Sequence, residues 1–99
     1  YSPAQALLAH EAGCAWIIPY VDRAARHSAG AVVVEQAAVL EQLDSPTRIL
    51  AASLKSGPQV AEAVLDGAHD VTAPLAVLRA LAGHPLTESA VREFAAHWE

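Results

Sequence analysis

Polar and glycine-proline breaks cut this chain into short apolar segments of two kinds, one with helical spacing and one without any alternation. The first segment, AQALLAHEA, is preceded by Ser2-Pro3-Ala4-Gln5. Serine at the N-cap, proline at the first turn and glutamine three residues after the cap satisfy the free N–H groups of a helix start. The pattern predicts a helix running to Gly13, a residue suited to the left-handed turn that closes helices. CAWIIPYV, residues 14 to 21, is apolar on consecutive positions and reads as a strand buried until Pro19. Val33, Ala37, Leu40 and Leu43 lie close to helical spacing and predict a second helix over about 32–43. Asp44-Ser45-Pro46 breaks it, and RILAAS, residues 48 to 53, reads as a second strand. Ser56-Gly57-Pro58 opens a third helix with Val60, Val64 and Leu65 on one face, closed by Gly67. DVTAP, residues 70 to 74, is the third strand. A short helix from Leu75 to Leu81 precedes a last one carrying Val91, Phe94 and Trp98 as an apolar stripe.

The order α-βα-βα-β-αα, with connections of a few residues, implies parallel pairing, because each crossover returns the chain to the same end of the sheet. Short, largely apolar strands predict cover on both faces. The helix–glycine–strand junctions at Gly13 and Gly67 repeat one structural device. Three parallel strands make a small sheet, and a complete (β/α)8 barrel needs about 200 residues or more. The pattern therefore favours the C-terminal portion of a TIM barrel, an α/β fold with about three parallel strands and flanking helices. A small doubly wound sheet is the alternative, without the glycine-rich phosphate fingerprint usual there. Residues 1–99 read as a single partial domain. A first residue that is tyrosine, placed directly before a helix start, predicts a piece of something longer.

Composition narrows the function classes. The 99 residues are 54% hydrophobic and 17% charged, far from the disordered regime. A formal net charge of −5, with Arg23, Arg26, Arg48, Lys55, Arg79 and Arg92 scattered along the chain, disfavours nucleic-acid binding. One or two local cations still suffice for a small phosphate. No apolar run approaches the ~18 residues of a membrane span. A single cysteine, Cys14, excludes an internal disulfide and fits a cytoplasmic protein.

Barrel enzymes carry their chemistry at the C-terminal ends of strands. Here those ends bear Tyr20 and Arg23 after the first strand, Ser53 and Lys55 after the second, and Thr72 at the third. An exposed loop arginine is usually only solvated and a serine before a helix usually a cap. It is the shared location of these residues that makes them candidates. The histidines, His10, His27, His69, His84 and His97, show no i, i+4 pair, and a zinc site wants three or four convergent ligands. No metal and no cofactor is expected, and His84, between Gly83 and Pro85, reads as a helix-end residue. Cys14 follows a helix C-terminus, the wrong dipole end for thiolate activation, and reads as a packed thiol.

SPAQALLAHEAG, IIPYVDR, ILAASLKS and HPLT…FAAHW together resemble the C-terminal half of the transaldolase family, most closely its fructose-6-phosphate aldolase-like and short transaldolase-like branch. The resemblance covers nearly the whole chain in order, and P-[YF]-V-x-R followed about thirty residues later by AAS is its specific part. It implies a (β/α)8 barrel that makes or breaks carbon–carbon bonds in sugar phosphates through a Schiff base on a lysine, without metal. It implies that Arg23 and Ser53 hold the substrate phosphate and that Tyr20 orients the catalytic water. The family's phosphorylated sugar is the partner, and ring-shaped homo-oligomers, with the C-terminal helix reaching a neighbour, are usual in full-length members. Ile18 stands where the family generally has alanine or serine, and is expected to shape the pocket. The family's loop after the arginine is usually richer in glycine and aspartate than AARHSAG. The Schiff-base lysine belongs to an earlier strand, so Lys55 is not the nucleophile and the chain alone is expected to be inactive.

Three readings are weighed: the phosphate-binding half of a class I aldolase or transaldolase in carbohydrate metabolism, a non-catalytic phosphate-binding or scaffold module derived from that family, and another Schiff-base barrel such as a deoxyribose-phosphate aldolase. The PYVDR…AAS spacing favours the first.

Overall fold

A computed structural model describes residues 1 to 98. Helix α1 (Pro3–Glu11) begins where the capping pattern places it, the Ser2 hydroxyl oxygen accepting the Gln5 backbone N–H at 3.2 Å. It ends in the glycine turn: Gly13 sits at φ +75°, and the N–H groups of Gly13 and Cys14 donate to the carbonyls of His10 and Ala9. Strand β1 (Trp16–Ile17), α2 (Val21–Arg26) and α3 (Val32–Gln42) follow, then β2 (Arg48–Ala51), α4 (Gly57–Leu65), β3 (Asp70–Val71), α5 (Leu75–Ala80) and α6 (Pro85–Trp98). Helix α4 reuses both devices of α1. Ser56 accepts the Gln59 N–H at 3.3 Å, and Gly67 at φ +115° closes the helix.

The strands pair in parallel in the order β1-β2-β3, with Trp16 opposite Arg48, Ile17 opposite Ile49, Leu50 opposite Asp70 and Ala51 opposite Val71. Ile17, Ile49, Ala51 and Val71 thus share one face, and the helices cover it. Ile49 is fully buried with Ala6 of α1 and Leu40 of α3, while Ala51 and Leu54 pack with Val60 and Ala63 of α4 and Val77 of α5. A third cluster, Ala24 with Val32 and Val33, seats α2 on α3. Ala68, in the turn between α4 and β3, touches all three clusters, a junction where a small side chain lets the elements close.

Four sequence expectations need correction. The first strand is two residues long rather than eight, continued only by an isolated bridge between Tyr20 and Ala52. Pro19 interrupts the ladder because it has no N–H to donate, although its carbonyl accepts from Ala52 at 3.0 Å. The third strand is likewise confined to Asp70–Val71. The segment after Tyr20 forms α2, a helix too short for its apolar spacing to register. Nor is the sheet covered on both faces: Trp16 is 43% and Ile18 52% exposed. On that bare face the Arg48 guanidinium lies over its cross-strand partner Trp16, 5.3 Å from the ring centre.

The molecule measures 62 × 27 × 20 Å with a radius of gyration of 17.3 Å, against about 13 Å for a compact chain of this length. Helix α6 accounts for the elongation, since it packs closely on no other element and leaves Leu86, Val91 and Phe94 exposed. The Trp98 side chain, third member of the expected stripe, lies outside the described part. Among the described residues no helix is long and apolar enough to cross a membrane.

Candidate functional site

The C-terminal ends of β1 and β2 are laced together by backbone hydrogen bonds. Val21 N–H donates to the Ala52 carbonyl at 2.9 Å and Asp22 N–H to the Ser53 carbonyl at 3.0 Å. These bonds seat the first turn of α2, which carries Asp22 and Arg23, against the turn that follows β2. Ser53 adopts φ +57°, a left-handed conformation that a residue with a Cβ takes only when its surroundings enforce it. The candidate residues Tyr20, Arg23 and Ser53, from segments about thirty positions apart, thus meet at one edge of the molecule.

Arg23 is exposed, and among the described residues no carboxylate pairs with it or with Lys55. The neighbouring carboxylate, Asp22, is engaged elsewhere: Oδ2 pairs with Arg26 at 3.0 Å and Oδ1 accepts from Gln59 at 3.1 Å. Arg26 is largely exposed, so this ion pair contributes little stability in itself. Its consequence is local, because Asp22 does not neutralise the cation beside it. The Ser53 and Tyr20 hydroxyls likewise have no hydrogen-bond partner among the described residues.

Tyr20, half exposed, meets the Tyr1 ring edge-on with ring centres 6.5 Å apart. Tyr1, Ile18, Pro19 and Tyr20 line a recess of about 190 Å³, and Tyr1, Arg23 and His27 line another of about 200 Å³. Tyr1 and His27 therefore join the expected residues. The sequence carries a signal for neither: Tyr1 reaches the site through the packing of α1 on α3, and His27 through the C-terminus of the unexpected α2. Thr72 lies one strand away, its N–H bonded to the Ala51 carbonyl at 2.9 Å, and Thr72, Ser53 and Lys55 line neither of these recesses; Ser53 is tied to the site through its backbone bond to Asp22.

A larger recess, about 300 Å³, opens at the opposite end of the sheet beside Ser45, Thr47, Gly67 and His69. Its polar groups serve the fold. Thr47 Oγ1 donates to the Cys14 carbonyl at 2.7 Å, and His69 Nδ1 accepts the Ile49 N–H at 2.9 Å, extending the β2–β3 ladder. His10 is paired with Ser45 at 2.6 Å, and His84 accepts the Leu86 N–H at the start of α6, the helix-end role its sequence position predicts. Among the described residues no three His, Cys, Asp or Glu side chains converge. Cys14 is exposed rather than packed, a second consequence of the uncovered β1 edge.

The family model described as transaldolase/fructose-6-phosphate aldolase matches residues 1–99. The chain belongs to this family. A probable transaldolase of Phenylobacterium zucineum is 42% identical over 100 residues, covering 99% of this chain and 46% of that relative. Probable transaldolases of Maridesulfovibrio salexigens and Desulforudis audaxviator are 37% and 39% identical, each spanned to 47% and 46% of its length. The chain thus spans about half the length of the curated relatives it matches.

Proposed function

We propose that residues 1–99 form the phosphate-binding, C-terminal half of a (β/α)8 barrel enzyme of the class I aldolase or transaldolase type. Two features support the barrel over a doubly wound sheet. The helices gather on one face of a parallel sheet, and the other face presents Trp16 and Ile18 to the space a barrel interior would fill. The single observation behind the functional reading is the lacing of Asp22 to Ser53, which joins a guanidinium that has no carboxylate partner among the described residues to a left-handed turn at the strand ends.

In this reading a sugar phosphate enters with its phosphate toward Arg23, whose planar fork suits two phosphate oxygens, while the Ser53 hydroxyl supplies a further donor. The carbonyl end then lies toward Tyr20 and Ile18. A lysine outside residues 1–99 condenses with the ketose carbonyl, losing water and forming an imine. The imine takes up the electron pair of the breaking carbon–carbon bond while the hydroxyl beside that bond loses its proton. The Tyr20 phenol holds the water that carries this proton. Ile18 narrows the donor pocket. Lys55 remains at the mouth, outside the covalent chemistry.

The test is Arg23→Gln in the full-length natural protein, assayed with fructose 6-phosphate and with unphosphorylated fructose. A charge-assisted phosphate contact of about 1.5–3 kcal/mol gives a rise in KM of tenfold or more for the phosphorylated sugar alone. Equal effects on both sugars would contradict the assignment.

A further inference from the structure

We propose that Gln59 is a positioning residue for the phosphate site: its amide bridges the helix bearing Arg23 to the turn bearing Ser53 and holds the two in register. The inference rests on the reading of Arg23 and Ser53 given above.

Gln59 occupies the third position of α4, its backbone N–H donating to the hydroxyl of the N-cap Ser56. Its Oε1 turns back to accept the Lys55 N–H at 2.7 Å. Gln5 plays the same part at α1, with its N–H on Ser2 and its Oε1 2.6 Å from the Tyr1 nitrogen. A cap needs nothing more. At α4, however, the second half of the amide is also used: Nε2 crosses to Asp22 Oδ1 at 3.1 Å, joining α4 to the first turn of α2.

Only glutamine serves both ends of this link. Glutamate would cap equally well and suit the positive helix N-terminus better. It has no N–H for Asp22, though, and would set carboxylate against carboxylate. With Arg26 on its other oxygen, Asp22 has both acceptors occupied, and the residue next in sequence is Arg23. Lys55, on the other side of the amide, lies two residues from Ser53. The side-chain bridge therefore runs parallel to the backbone bond from Asp22 to Ser53 and closes a short ring around the two phosphate-binding elements.

The experiment measures inorganic phosphate binding to the full-length natural protein by titration calorimetry, with thermal melting as a check on the fold. Gln59→Leu removes the bridge without adding charge and is expected to weaken phosphate binding about fivefold to tenfold, the effect of one lost hydrogen bond on its neighbours. Gln59→Glu keeps the cap, so it folds, and is expected to weaken binding at least as much. Asp22→Asn combined with Gln59→Glu reverses the polarity of the bridge at unchanged net charge and is expected to return binding to within twofold of the original. Arg23→Gln serves as the reference for the site. If Arg23→Gln weakens binding while both single Gln59 variants stay within twofold of the original, or if the double variant fails to recover, Gln59 is only a cap and the proposal is overturned. If the original protein binds no phosphate, or Arg23→Gln leaves binding unchanged, the phosphate-site reading itself is what fails.

Discussion

At the scale of single residues, the site depends on groups that the fold leaves unspent. Tyr20 is half exposed and its hydroxyl bonds to nothing among the described residues, so its removal should disturb chemistry rather than structure. Tyr20→Phe in the full-length protein is expected to slow aldol cleavage about tenfold or more, consistent with loss of an oriented proton carrier, with melting temperature unchanged. An equal fall in stability would assign the hydroxyl a structural role. Thr47 is the opposite case. It is buried, and its hydroxyl satisfies the Cys14 carbonyl across the entry to β1 and β2. Thr47→Val should therefore cost about 1–2 kcal/mol in a denaturant melt without altering sugar-phosphate binding. Tyr20, Arg23 and Ser53 are legible in the sequence as strand-end residues, and the roles proposed for them come from the family resemblance. Tyr1 and His27 were not legible, because each reaches the recesses only through the way its helix is packed. Gln59 was hidden for another reason: a capping glutamine looks the same whether or not its second amide hydrogen crosses to another element.

At the scale of elements, the junctions are legible in the sequence and the extents of the strands less so. Both helix–glycine–strand turns form as the sequence predicts, because a left-handed C-cap is a local property of the chain. The two glycines are not equivalent, however. A Cβ at Gly13 would meet nothing within 4 Å, whereas one at Gly67 would fall 2.6 Å from the Ala37 side chain. Gly13→Ala is expected to cost about 1 kcal/mol, from the positive φ alone. Gly67→Ala adds a clash between α3 and the turn after α4, and should cost about 2–3 kcal/mol. Equal losses in parallel melts would show that the α3 contact yields without cost. Strand lengths were overestimated because apolar runs continue past the last ladder bond: Ile18 to Val21 is apolar or aromatic, yet Pro19 stops regular pairing. Helix α2 leaves no periodic signal in the sequence, since its six residues carry too few inward positions, Val21 and Ala24, to show one.

At the scale of the whole molecule, the chain spans about half the length of the relatives it matches, and among the described residues one sheet face is bare and the outer edges of β1 and β3 are open. Trp16 and Ile18 on that face, and Leu86 and Phe94 on α6, are large apolar side chains in water. Exposed apolar surface and unpaired strand edges favour association. Residues 1–99 alone are expected to elute from a sizing column as a concentration-dependent assembly, and a compact monomer at every concentration would contradict that. The parallel order was legible from the alternation of segments. The uncovered face was not, because apolar strand positions read alike whether helices or the inside of a barrel cover them.

Schiff-base chemistry is tested by borohydride trapping of the full-length natural protein with fructose 6-phosphate, followed by mapping of the modified peptide by mass spectrometry. One reduced sugar-phosphate adduct is expected, on a lysine outside residues 1–99, formed at higher sugar concentration in Arg23→Gln. No adduct, or an adduct on Lys55, would contradict the proposed function.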